Sequence, residues 1–195
     1  MNNNTISPPQ PIPYPERGFL RKLVRVPLLL YRLGLKKLFG QHVLILSTTG
    51  RKTSHIHRTP VEYFKHKGRI YIISGFGHRP DWLQNLLVNP EVTIQTGDQT
   101  TCAIARPPED DEEWLAVYRY IQESPITNLF MTDYLEALSQ ADALDQVKKW
   151  DAITFDPTDG PCPPPLEEDL LWAWPLILIL LALDILTGWL ILRSK

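Results

Sequence analysis

Apolar and polar positions change period several times along the chain. An apolar run at residues 43–47 suits a buried strand. Strand patterns follow at 59–66 and 69–74, joined by the Lys67-Gly68 turn, so the two form a hairpin. Gly75-Phe76-Gly77 breaks the pattern. Residues 79–88 then read as a short helix with Pro80 in its first turn, ended by Asn89-Pro90. A second hairpin spans 92–96 and 100–106 around Gly97-Asp98. Residues 109–124 are acidic in the first turn and then amphipathic, as a surface helix should be. More helical pattern runs through 126–149, and a last strand through 150–155.

Both ends of the chain depart from this core. Residues 1–16 are rich in Asn and Pro and read as a disordered or extended arm. Residues 17–39 interleave Leu, Val, Phe and Tyr with Arg and Lys, a basic amphipathic helix that Pro27 should kink or divide. After the core at 41–156, the Pro-rich stretch 157–169 reads as a stiff linker. Residues 170–192 are apolar, with Trp172, Trp174 and Trp189 near the two ends and Asp184 inside. That length suits a helix crossing about 30 Å of hydrocarbon, with the tryptophans as interfacial anchors. The expectation is a single-pass C-terminal anchor with the domain on the cytoplasmic face, although a strict count of flanking Arg and Lys would put the C-terminus there. The basic helix would lie on the same face, drawn to anionic lipids.

Composition narrows the classes. With 195 residues, 44% of them hydrophobic, the chain can bury one ordinary core plus appendages. A net charge of −2 gives no argument for nucleic acid. Cys102 and Cys162 have no metal-type spacing and suggest no disulfide framework, so a reducing compartment fits. The positive charge is concentrated early. In the stretch VLILSTTGRKTSHIHRTP (43–60) a strand delivers Thr hydroxyls, loop N–H groups, Arg51, Lys52, His55, His57 and Arg58 to one turn. These are the groups that grip a phosphate or other anion, and equally those of a solvated basic hairpin.

Three segments together carry a family likeness: STTGRKT…TP (47–60), RIYIISGFG (69–77) and DWLQNLLVNPEVTIQTG (81–97). From about residue 19 to about 155 the chain resembles the deazaflavin (F420)-dependent nitroreductases and quinone reductases. The resemblance implies an α+β, mainly β, six-stranded split barrel of the FMN-binding type with helices over its openings. It also implies that Arg51, Lys52 and Thr53 hold the coenzyme's phosphate and acidic arm. Where relatives carry Gly-x-Pro-Arg, this chain has Ser54, Ile56 and His57, with Arg58 one place further on. Neighbouring strand residues face opposite ways, so His57 and Arg58 cannot both serve one site in the same manner. By the same resemblance Ile73, Ser74 and Gly75 pass along the deazaflavin ring, and Asp81, Trp82 and Asn85 close over it.

A reduced deazaflavin supplies the hydride, so the protein needs to contribute position and a proton or hydrogen bond. Ser74 and Tyr134 are the candidate donors, with Tyr118 and Tyr120 behind them. The expected activity is hydride transfer from reduced F420 to a lipid-soluble quinone or a small nitro-type acceptor at a membrane, without nucleic acid or metal. Three alternatives compete: an FMN-dependent reductase of the same fold, a non-catalytic tethered protein holding a flavin or haem, and a structural module whose basic loop binds lipid headgroups.

Overall fold

The computed structural model describes residues 25–123, 144, 145 and 147–193. The expectations on residues 1–24, 126–143 and Tyr134 lie outside the described residues. Helix α1 (Val26–Arg32) is followed by β1 (Val43–Thr49), β2 (Ile56–His66), β3 (Arg69–Ile73), α2 (Asp81–Val88), β4 (Glu91–Thr96), β5 (Gln99–Arg106), α3 (Asp111–Glu123), β6 (Ala152–Pro157) and α4 (Trp174–Arg193).

The six strands close into an antiparallel barrel in the order β1-β2-β3-β6-β5-β4. Alternation sorts the side chains. Leu44 and Leu46 of β1, Val61 and Tyr63 of β2, and Val92 and Ile94 of β4 fill the interior, and Leu83 and Leu86 of α2 plug one end. The opposite set builds a second cluster on the outside: Tyr71 of β3, Trp114, Val117 and Ile121 of α3, and Ala152 of β6. Arg106 pins the start of α3 by bonding Glu113 at 2.9 and 3.0 Å and Asp156 at 2.6 Å. The Arg106 hydrogen bond holds the Glu113 carboxyl below the usual carboxylate range.

Several expectations need correction. In its described part, 25–39, the basic segment is divided and not one continuous helix. The described part holds α1, with Pro27 in its first turn where a missing N–H costs nothing, and a separate 3-10 turn at Lys36–Leu38. Strand β2 starts at Ile56 and pairs with β1 down to Thr49↔Ile56, so the loop between them is only residues 50–55. Pro80 precedes α2 as its N-cap in an extended conformation. The 158–170 segment has no helix or strand, but it is docked on the barrel instead of hanging free. Its docking brings Cys162 within 5.7 Å of Cys102, Cα to Cα, and the two form a disulfide across a separation of 60 residues that spacing could not reveal.

The apolar stretch 170–192 does not become one uninterrupted helix. Leu171–Ala173 is a 3-10 turn and α4 begins at Trp174. The Leu170 N–H donates to Arg32 O at 3.0 Å, and Trp174 Nε1 donates to Leu33 O at 2.8 Å, so the first residues are tied down beside α1. Among the described residues no helix is long and apolar enough to cross a membrane. That corrects the expected transmembrane helix.

Candidate functional site

One end of the barrel gathers the β1–β2 loop, the loop after β3, helix α2 and the start of β6. The first loop is folded by its own backbone: Gly50 N–H donates to His55 O at 2.8 Å, and Ser54 N–H to Gly50 O at 3.0 Å. Gly50 lets the His57 ring lie close against the loop, since a Cβ there would sit 2.8 Å from His57 Nε2 and push the ring aside. Ser54, where the resemblance expects glycine, adopts φ +57°. The left-handed turn persists and a serine now bears its cost.

Arg51 is braced rather than free. Its Nη1 donates to Asp81 Oδ1 at 3.0 Å and to Asn85 Oδ1 at 2.9 Å, and its backbone N–H also reaches Asn85 Oδ1 at 3.2 Å. Asn85 is buried on α2 while Asp81 is exposed, so one turn of helix fixes the guanidinium from below. Lys52, Thr53, Ser54, His55 and His57 stand exposed around it. Thr48, buried at the end of β1 and paired with His57, has a hydroxyl without a hydrogen-bond partner. The predicted Arg51, Lys52, Thr53, His57, Asp81 and Asn85 therefore share this rim. Trp82 is half-buried and packs on the barrel core.

The strand end is arranged differently from the expectation. Ile73 packs into the outer cluster with Tyr71 and Trp114. Ser74 is buried, and its hydroxyl donates to Gly77 O at 2.6 Å, which ties the 74–77 turn. Gly75 is exposed, with no described atom within 4 Å of a Cβ placed there, so a flat ring can approach the backbone closely. Of the weaker tyrosines, Tyr120 donates to Glu62 Oε1 at 2.6 Å on the outer face.

The sequence offers His78 chiefly as a solvated loop histidine and gives no sign of Asp151. His78 Nδ1 lies 2.8 Å from Asp151 Oδ1, and Ser74 N–H donates to Asp151 O at 2.8 Å. Gln84 of α2 holds the His78 carbonyl at 2.8 Å. Burial pushes the Asp151 carboxyl above its ordinary value, opposed by His78. The helix that braces Arg51 thus also anchors a His–Asp pair. Only the register of β6 could have revealed it.

Arg58 does not belong to this rim. By alternation it faces outward, beside Ser47 of β1, while its Nη2 donates to the carbonyls of Pro164 and Pro165 at 3.3 and 3.1 Å. A cavity of 260 Å³ opens at the barrel's opposite end, between the β2–β3 and β4–β5 turns, far from the cationic loop.

Among proteins of related sequence, the F420H(2)-dependent quinone reductases of Mycobacterium tuberculosis strains H37Rv and CDC 1551 are each 29% identical over 85 residues. That match covers 42% of this chain, and the chain spans 57% of each relative's length. Among solved structures, an F420-H2 dependent reductase (FDR-A) aligns with a TM-score of 0.44 at 19% identity, over 60% of this chain and 95% of that one. A heme binding protein from Mycobacterium smegmatis aligns with a TM-score of 0.41 at 15% identity, over 60% of this chain and 47% of that one. The sequence model of the F420H(2)-dependent quinone reductases matches residues 32–130, more than half of the chain, and the chain belongs to that family.

Proposed function

We propose that this protein is a membrane-associated oxidoreductase that binds coenzyme F420 at the α2 rim and passes a hydride from its reduced form to a quinone or nitro-type acceptor. The observation that carries the reading is the braced Arg51 beside the exposed Lys52 on the β1–β2 loop. A guanidinium fixed by Asp81 and Asn85 loses little freedom on meeting a phosphate, and Lys52 adds a second charge. The orphaned Thr48 hydroxyl and the open approach at Gly75 suit a polar, flat ligand. When bound, the reduced coenzyme supplies the hydride; the protein supplies the grip, the orientation and the second proton. Ser74 shapes the turn through its bond to Gly77. The proton comes from His78, exposed and oriented through Nδ1 by Asp151.

The acceptor reading rests on the surface of α4. Leu178, Leu180 and Ile185 are 59%, 65% and 73% exposed, and Trp172 before the helix is 66% exposed. So much apolar area facing outward is a reason for lipid contact, and a lipid-soluble quinone would be met there. We place the domain on the cytoplasmic face as part of the same reading. Full-length protein mixed with anionic vesicles should float with them; if it stays in the aqueous fraction, the lipid reading fails.

The coenzyme reading is tested by titration with F420 and FMN, followed by oxidation of reduced F420 with a menaquinone analogue. Binding of F420 at micromolar or better affinity is expected. Arg51→Ala with Lys52→Ala should weaken it about a hundredfold, taking about 1.5 kcal/mol per charge-assisted bond. Equal affinity in the double variant would remove the basis of the assignment.

A further inference from the structure

We propose that residues 158–166 are a redox-latched cover over a second part of the coenzyme site, opened when the Cys102–Cys162 disulfide is reduced. The inference rests on the F420 reading above. Four residues form one row across four adjacent strands: Cys102 of β5 pairs with Thr93 of β4, Thr93 with Ser47 of β1, and Ser47 with Arg58 of β2. The covering segment runs along this row. It is bonded to Cys102 at Cys162, Pro163 O accepts from the Thr93 hydroxyl, and Pro164 and Pro165 carbonyls accept from Arg58 Nη2. Beyond the row, Leu166 exchanges two hydrogen bonds with Gln95, at 2.8 and 3.1 Å.

The fit under the cover is incomplete. Ser47 is fully buried and its Oγ has no partner; Arg58 Nε beside it is also buried and unpartnered. Buried donors of this kind are costly and are normally satisfied. The side chains under residues 163–165 can all donate: two hydroxyls and a guanidinium. Proline carbonyls satisfy part of that set, and an anion with several acceptor oxygens satisfies more of it. Arg58 lies on β2 two residues beyond Ile56, where the cationic loop ends, with its side chain on the flank and not on the rim. A long coenzyme gripped at Arg51 meets Arg58 only by running its phosphate or carboxylate arm around that strand once the proline carbonyls leave.

The latch reaction balances with a small-molecule dithiol. One of its thiolates attacks a cystine sulfur and forms a mixed disulfide; its second thiolate closes on the first. Two electrons and two protons pass to Cys102 and Cys162, and the dithiol leaves as its cyclic disulfide. A disulfide in a protein on a cytoplasmic face is expected to be of this reversible kind. The latch half at Cys162 lies outside the 32–130 stretch that matches the family.

The test compares the oxidised full chain with the same chain reduced by a phosphine, and with Cys102→Ser/Cys162→Ser as a permanently open form. Two quantities are read: hydrogen exchange of the amides in 158–166, and F420 affinity by fluorescence titration. Reduction should speed exchange there and tighten F420 binding about tenfold, the effect of one further charge-assisted contact. Arg58→Ala should abolish the tightening. Equal exchange or equal affinity in the two redox states overturns the cover, while the F420 reading stands if Arg51→Ala/Lys52→Ala still weakens both forms. Binding by neither form overturns the F420 reading and the cover with it.

Discussion

One hairpin carries two cationic positions that the structure treats in opposite ways. At its loop, Arg51 is held by the Asn85 and Asp81 side chains of α2, and its neighbours Lys52 and Thr53 face solvent. Seven positions on, Arg58 faces the other side of the sheet and spends Nη2 on the chain's own proline carbonyls. In sequence they read as one basic cluster. The period of two divides them into an open rim and a covered flank. Nearness along a strand is thus poor evidence for a shared site, and a bracing partner is better evidence.

The sharpest way to break that comparison is to remove the brace. Asn85→Ala deletes the acceptor for both the backbone N–H and Nη1 of Arg51, at 3.2 and 2.9 Å. Asn85 is 2% exposed, so water replaces it poorly. The change should cost about 2 kcal/mol in denaturant unfolding and weaken F420 roughly tenfold. Thr93→Val on the flank should leave the affinity of the oxidised form untouched. If Asn85→Ala binds F420 as the unaltered protein does, the brace is only a packing detail.

The covered flank should respond to acid and salt more gently. Arg32 makes a bidentate bond to Asp169, Nε at 2.6 Å and Nη2 at 2.7 Å, both half-exposed. That bond holds the Asp169 carboxyl below its ordinary value. A carboxyl depressed on folding contributes stability above its unfolded pKa, and the contribution is lost as pH falls through the folded one. The end of the cover should therefore stay docked from neutral pH down to the ordinary aspartate range and loosen only below it. Asp169→Asn should raise proteolytic cleavage at 166–170 a few-fold at neutral pH in low salt, and less in high salt. No loosening as pH falls through and below the aspartate range would assign the hold to Gln95 and the disulfide instead.

Much of the barrel was legible because local signals agree with the global fold. Alternation marked the strands, Lys67-Gly68 and Gly97 take the positive φ angles their turns require, and the acidic first turn announced α3. The flank was not legible for a physical reason. A proline run offers no side-chain hydrogen bonds, so it reads as a linker, yet its carbonyls are the groups that dock. The disulfide joins residues 60 apart, and only the docked segment brings them together. The bond from the Ser74 hydroxyl to Gly77 was not legible either, because a hydroxyl in a tight turn bonds its own backbone and leaves no pattern in the sequence. His78 and Asp151 come together only through the pairing of β3 with β6, which joins Ile73 to Ala152.

The smallest predicted effect asks whether the rim is built under strain. Ser54 stands at φ +57°, where a side chain costs about 1 kcal/mol and glycine nothing. Ser54→Gly removes that cost, but the freer unfolded chain returns about half of it. The net expectation is a gain of about 0.5 kcal/mol, a rise of about 2 °C in thermal midpoint for a domain of this size. F420 affinity should not fall, since the backbone bonds from Gly50 to His55 and from Ser54 to Gly50 are unchanged. A loss of stability would mean that the serine is held there by something stronger than its own backbone preference. A loss of affinity with stability gained would mean that the exposed Ser54 hydroxyl touches the ligand, which would add it to the donors of the open rim.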